Sequence, residues 1–156
     1  NWIVIGKETG EVKSAFSHKG EEASYYSYDA FRTMWRIALD ATWFNEPKAY
    51  DYLEKVEPFY IREWTTNNNF SAVYGLDGSR KTSYDSVSTN VGALSVFTIT
   101  NKIFADETFN KLFEKEFNYD LGYWKDKNNY YDQNWAWFGT ALYSDNLPNL
   151  WEKGNK

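Results

Sequence analysis

The chain has 156 residues, no cysteine, one histidine and a formal net charge of −5, from 17 Lys and Arg against 22 Asp and Glu. Its length is that of one domain able to bury a core, and the missing cysteine excludes a disulfide, a thiolate zinc site and a cysteine nucleophile. A single histidine argues against a Ser–His–Asp hydrolase or a multi-histidine metal centre, the acidic balance against a nucleic-acid backbone partner, and the short apolar runs against a membrane span.

The first 24 residues differ from the rest. Trp2 to Ile5 and Glu11-Val12, around a Thr9-Gly10 turn, read as a short extended hairpin. Ser14 to Ser24 reads as a polar loop with few tertiary contacts, and His18 as exposed surface. No stretch reads as a signal peptide or a lipid anchor.

Five helices are expected after it, so the fold class is mainly α. The first spans about Tyr28 to Phe44, with Ser27 as N-cap and Phe31, Met34, Trp35, Ala38, Leu39 and Thr42 on one stripe. The second runs from Pro47 to Trp64, with Pro58 kinking or ending it. An Asp77-Gly78 turn follows. The third spans Ser86 to Asn101, with Val87, Val91, Leu94 and Thr98 aligned and Gly92 weakening its interior. The fourth spans Asp106 to Phe117, with Asp106 as cap. A polar loop from Asn118 to Asn129 carries Tyr119, Tyr123 and Trp124. The fifth spans Tyr130 to Tyr143, with Tyr131, Trp135, Phe138 and Leu142 aligned, so that Trp135 and Trp137 face different sides. The tail ends in a fraying Lys/Gly/Asn fringe beyond Trp151.

The unusual quantity is aromatic content: 8 Trp, 13 Tyr and 11 Phe make 21% of the chain. Such side chains build cores and interfaces. They also stack on flat ligands, and sugars qualify through their apolar C–H faces. Trp64 and Trp124, in or near loops, are stacking candidates.

Asp29 is the chemically informative residue. It falls in the first turn of the first expected helix, where the macrodipole and unpaired N–H groups favour a carboxylate. Arg32, three residues on, lies on the same face and can orient it. Tyr25, Tyr26 and Tyr28 stand just upstream. A carboxylate so held suits a general base that activates water. The same spacing suits a carboxylate that only caps the helix and pairs with Arg32. Asp126-Lys127-Asn128-Asn129 lacks EF-hand spacing, so calcium is not expected, and no cofactor is implied.

Tyr28-Asp29-Ala30-Phe31-Arg32 followed by Trp35-Arg36-Ile37-Ala38-Leu39-Asp40 resembles the catalytic-base segment of glycoside hydrolase family 8. Trp43-Phe44-Asn45 resembles the W-F/Y-G that follows it, and Ser86 to Thr98 a helix of small residues. Tyr130-Tyr131-Asp132, then an aromatic helix and Ser144-Asp145-Asn146, resembles a closing segment that ends in S-G-N, with Asp145 in place of the glycine. The resemblance covers Trp2 to Trp151. It implies an inverting enzyme acting on β-1,4-linked polysaccharide: cellulose or β-glucan first, then xylan or chitosan. It implies Asp29 as the general base, Arg32 as its orienting partner, and Tyr28, Tyr130 and Tyr131 along the sugar groove; Trp124 is added as a substrate contact from its loop position alone. It also implies secretion.

The family fold is an (α/α)6 barrel of twelve helices with the base at the start of the eighth. The five helices here would be the eighth to the twelfth, a single partial domain, the C-terminal part of that barrel. The family's acid glutamate sits in a T/S-E-G-x-S-Y-G-like motif that this sequence lacks. Glu8 and Glu11 flank a Thr-Gly turn, and Glu21 and Glu22 read as solvated loop. Inversion needs two carboxyl groups about 6.5–9.5 Å apart, so the chain alone is expected to be an incomplete hydrolase. Its expected partners are a polysaccharide or oligosaccharide and the missing N-terminal helices or a companion chain. An opened barrel would expose an inner wall and two edges. A non-catalytic sugar-binding domain and a helical interaction domain are the alternatives.

Overall fold

A computed structural model describes residues 3–15 and 20–151. Trp2, His18 and the fringe beyond Trp151 lie outside the described residues, as do the side chains of Glu21 and Glu22. The N-terminal hairpin forms as expected. Strand β1 (Ile3–Ile5) pairs antiparallel with β2 (Val12–Ser14), Ile5 opposite Val12. Gly10 takes the left-handed conformation that its turn requires, at φ 69°. Ile3, Ile5 and Val12 are exposed.

Strand β3 (Tyr26–Ser27) pairs with β4 (Val73–Tyr74), Tyr26 opposite Tyr74. This pairing corrects the expected start of the first helix. Ser27 lies in β3 rather than at an N-cap, and Tyr28 turns left-handed at φ 34°. A tight turn follows, in which Ala30 N–H donates to the Ser27 carbonyl at 2.9 Å. Helix α1 therefore runs Arg32–Phe44, capped by the Phe31 backbone without a side-chain bond. Asp29 precedes the helix and does not occupy its first turn. Phe31, Met34, Ala38 and Ala41 are buried along it, whereas Thr42 is exposed.

Helix α2 (Pro47–Asn67) starts where Glu46 accepts a hydrogen bond from the Lys48 N–H at 3.1 Å. It runs through Pro58 and past Trp64. Proline removes the N–H partner of the Glu54 carbonyl, but both residues are exposed, so that carbonyl is not left unpaired in the core. Beyond α2, buried Glu63 gathers the Tyr74 hydroxyl at 3.0 Å and the Arg80 guanidinium at 3.3 Å. This knot fixes β4 on α2, and β4 in turn fixes β3. The Asp77-Gly78 turn forms, with Gly78 at φ 79°.

Helix α3 (Val87–Thr100) is capped by Ser86, whose hydroxyl accepts from Thr89 N–H at 3.2 Å. Every residue from Val87 to Phe97 is buried. Gly92 lies against the residue that caps α1: a Cβ there would lie 3.0 Å from the Phe31 Cβ. Helix α4 (Lys102–Leu112) begins at Asn101, which accepts from Phe104 N–H. Asp106, expected as the cap, lies inside α4, bound to Lys102 and to the Tyr143 hydroxyl. The helix ends before Phe117. A 3-10 turn (Glu114–Glu116) leads into β5 (Phe117–Asn118), which pairs with β6 (Tyr123–Trp124) inside the expected loop. The Phe117 ring packs on Trp124 at 4.6 Å instead of extending a helix. Helix α5 (Tyr130–Tyr143) has the expected bounds, with Trp135 buried and Trp137 exposed.

The class is mainly α, with five α-helices among the described residues. Helix α3 is central and touches each of the other four. Helices α1 and α5 also meet: Phe31 and Trp135 pack edge to face at 5.1 Å, and the Trp35 indole N–H donates to the Phe138 carbonyl at 3.0 Å. Much of the aromatic load is core: Tyr60, Trp64, Phe70 and Phe97 interlock between α2 and α3. The expected open wall is not formed by α3, which its neighbours enclose. Exposed rings stand instead at Phe44, Tyr130 and Trp137.

Candidate functional site

The alternation of helices returns the starts of α1, α3 and α5 to one side of the molecule. The turn before α1 contributes Tyr28, the cap of α3 contributes Asp85 and Ser86, and the cap of α5 contributes Asn129, Tyr131 and Asp132. With Val87 and Lys125 these residues line an open cavity of about 330 Å³. The caps of α3 and α5 and the turn before α1 thus meet at one polar cavity, whose side-chain carboxylates, amide and ammonium suit an oxygen-rich ligand.

Asp29 and Arg32 are held together as expected, with a carboxylate-to-guanidinium distance of 2.6 Å. Their side chains are 65% and 32% exposed, so the pair adds only about 0.2–1 kcal/mol to stability. Its effect is orientation: the carboxylate is fixed next to Tyr28, which lines the cavity, while Asp29 and Arg32 are not themselves part of its wall. Tyr28 is half exposed. Tyr131 stands close enough to feel both charges. Burial pushes its phenol pKa up, Arg32 opposes this and Asp29 adds to it. Its buried hydroxyl has no hydrogen-bond partner of ordinary geometry among the described residues.

The opposite wall holds groups that the sequence reading missed. Asp85 accepts from the Asn90 amide at 2.9 Å and faces the Lys125 ammonium at 3.7 Å. Asp132 and Asn129 form a reciprocal cap: Asn129 accepts from Asp132 N–H, and its amide donates to the Asp132 carboxylate at 2.7 Å. Burial pushes the Asp132 pKa up, Lys125 pulls it down, and Asp85 and Asp126 raise it again. Lys125 reaches the cavity because Gln133 clamps the strand pair to α5. The Gln133 amide accepts from Trp124 N–H at 2.9 Å and donates to the Trp124 and Asp126 carbonyls. The Asn129-x-x-Asp132 spacing is a recognisable capping signature. Asp85 and Lys125 carry no local signal, since only tertiary folding brings them together.

Two expected contacts lie elsewhere. Tyr130 is 78% exposed and is not part of the cavity wall. Trp124 is not a stacking platform in this cavity, because its ring lies against Phe117 and lines a separate pocket with Phe109 and Phe113. Among the described residues no three His, Cys, Asp or Glu side chains are placed to share a metal ion. No helix among them is long and apolar enough to cross a membrane. Compared with protein-family models the chain matches none, and compared with curated proteins it matches none.

Proposed function

We propose that the chain is part of an inverting glycoside hydrolase that cleaves β-1,4-linked polysaccharide, cellulose or mixed-linkage glucan first, xylan or chitosan next. Asp29 is the general base. The observation that carries this reading is the Asp29–Arg32 pair, directly next in sequence to Tyr28, which lines a polar cavity together with Tyr131. Aromatic rings suit the C–H faces of a pyranose, and the carboxylates, amide and ammonium around them suit its hydroxyls.

In this reading Asp29 removes a proton from water as that water attacks the anomeric carbon. The glycosidic C–O bond breaks on the opposite face, and the leaving oxygen takes a proton from a second carboxylic acid. The remaining helices of an (α/α)6 barrel supply that acid, and these five form the C-terminal part of the barrel. Three helix starts converging on one end support that placement. So does Asp145, which stands where the resembled segment has glycine. It takes φ 55°, a conformation that glycine adopts freely. The reading implies a secreted enzyme.

Intact-mass analysis of an active preparation, beside hydrolysis of cellulose, lichenan, xylan and chitosan, identifies the species that carries activity. A larger protein or a two-chain assembly is expected. In that species Asp29→Asn lowers turnover by about 10²–10⁴-fold while oligosaccharide binding persists, and the wild-type product has inverted anomeric configuration by NMR. An Asp29→Asn variant of normal turnover overturns the assignment. Binding without cleavage in every species favours a sugar-binding domain.

A further inference from the structure

A second cavity, of about 360 Å³, lies between α1, α2 and the β3–β4 pair, remote in composition from the Asp29 site. Tyr26 and Tyr60 line it, and their hydroxyl oxygens are 2.6 Å apart, the Tyr26 hydroxyl lying close to Gly92 of α3. Two phenols joined by one hydrogen bond hold two protons, so one O–H remains to donate. Neither hydroxyl makes another hydrogen bond among the described residues. Burial raises the pKa of both phenols and keeps them protonated. Met34, Val56 and Phe59 supply apolar wall, and exposed Lys55 is the cation in the lining.

We propose that this cavity binds a monocyclic aromatic acid carrying a ring hydroxyl opposite its carboxylate. The ring lies against Phe59, Val56 and Met34. Its hydroxyl accepts the spare proton of the Tyr26–Tyr60 pair, and its carboxylate stays beside Lys55. The reverse orientation would bury an anion among phenols with no cation, at a cost of several kcal/mol. A pyranose fits poorly, because its rim of hydroxyls would meet an aliphatic and aromatic wall and lose its hydrogen bonds. The size is right for such a ligand, since pockets of about 300–1,000 Å³ lined by apolar rings with a few placed polar groups are the usual form of small-molecule sites. This site stands whether or not Asp29 is a catalytic base.

The test is a titration of the chain with 4-hydroxycinnamate, followed by saturation-transfer NMR. Saturable binding is expected with a dissociation constant of about 1 mM, the scale for about a dozen heavy atoms. Lys55→Gln weakens it about threefold to fivefold, and Lys48→Gln, on the same helix but outside the cavity, leaves it unchanged. Cinnamate, which lacks the ring hydroxyl, binds about two- to tenfold more weakly. Because that comparison uses the unmodified chain, folding of a variant is not at issue. Absence of saturation at about ten times the expected constant overturns the proposal. So does binding indifferent to both Lys55→Gln and the ring hydroxyl, or displacement of the probe by cellobiose.

Discussion

Tyr28 holds a backbone φ of 34° next to Asp29. For a residue with a Cβ, the left-handed conformation costs about 1–2 kcal/mol. The β3–β4 pairing imposes it, because Ser27 must stay extended opposite Val73 while the chain turns into α1. The strain therefore places the Tyr28 ring on the cavity wall and Asp29 beside Arg32. Comparing two variants isolates it. Both Tyr28→Gly and Tyr28→Ala remove the ring, so they differ only in backbone preference. At an ordinary position alanine is the more stable by about 0.5–1 kcal/mol, since glycine loses more chain entropy. Here the order reverses: urea denaturation should find Tyr28→Gly more stable than Tyr28→Ala by about 1 kcal/mol. If the alanine variant is the more stable, the turn is unstrained and this account of how Asp29 is aimed fails.

Helices α3 and α5 meet through Gly139 and Val91, a contact too close for any added atom. A Cβ on residue 139 would lie 2.8 Å and 3.1 Å from the two Val91 methyls. Val91 is fully buried and β-branched, so it has no free rotamer to yield. Gly139→Ala would gain about 0.5–1 kcal/mol of helix propensity but lose about 1–3 kcal/mol to overpacking. Packing wins, and thermal denaturation should show a net loss that the double variant with Val91→Ala partly recovers. A stabilised Gly139→Ala variant would mean that the helices slide apart freely. The same contact shows which features were legible. The Tyr131, Trp135, Phe138 and Leu142 stripe announces α5, because its period is local. The enclosure of α3 is not legible, since Ser88, Ala93, Ser95 and Gly139 only become informative once four helices press on them. The false start of α1 and the false end of α4 share one cause. Ser27 and Phe117 fit helical patterns, but each is captured by a strand partner: Ser27 by Val73, distant in sequence, and Phe117 by Trp124, across a short hairpin. In the site, Asp29, Arg32, Tyr28 and Tyr131 could be proposed from sequence. Asp85 and Lys125 could not, because the cavity is made by three helix starts converging.

At the scale of the molecule, tyrosine burial ties stability to pH. Tyr26, Tyr60 and Tyr74 lie where β3, β4 and α2 meet, and burial is the first cause of a raised phenol pKa in all three. In the unfolded chain each ionises near its ordinary value of 10.0. The folded state holds its protons to higher pH, so these phenols favour folding fully below pH 10. Above it that contribution is lost, by up to about 1.4 kcal/mol per pH unit for each phenol. The slope ends only when pH reaches the raised folded values. Urea stability measured from pH 8 to 11 should therefore be flat in these phenols at first and then fall steeply. Tyr60→Phe removes one linked proton and should flatten the alkaline limb by up to that amount per pH unit. Its stability at pH 8 falls at the same time, since the Tyr26 hydroxyl loses its partner at 2.6 Å. An alkaline limb of unchanged slope in Tyr60→Phe would mean that this phenol ionises inside the fold. Water would then reach the floor between α1 and α2, and the protonated pair on which the second cavity depends would not exist above pH 10.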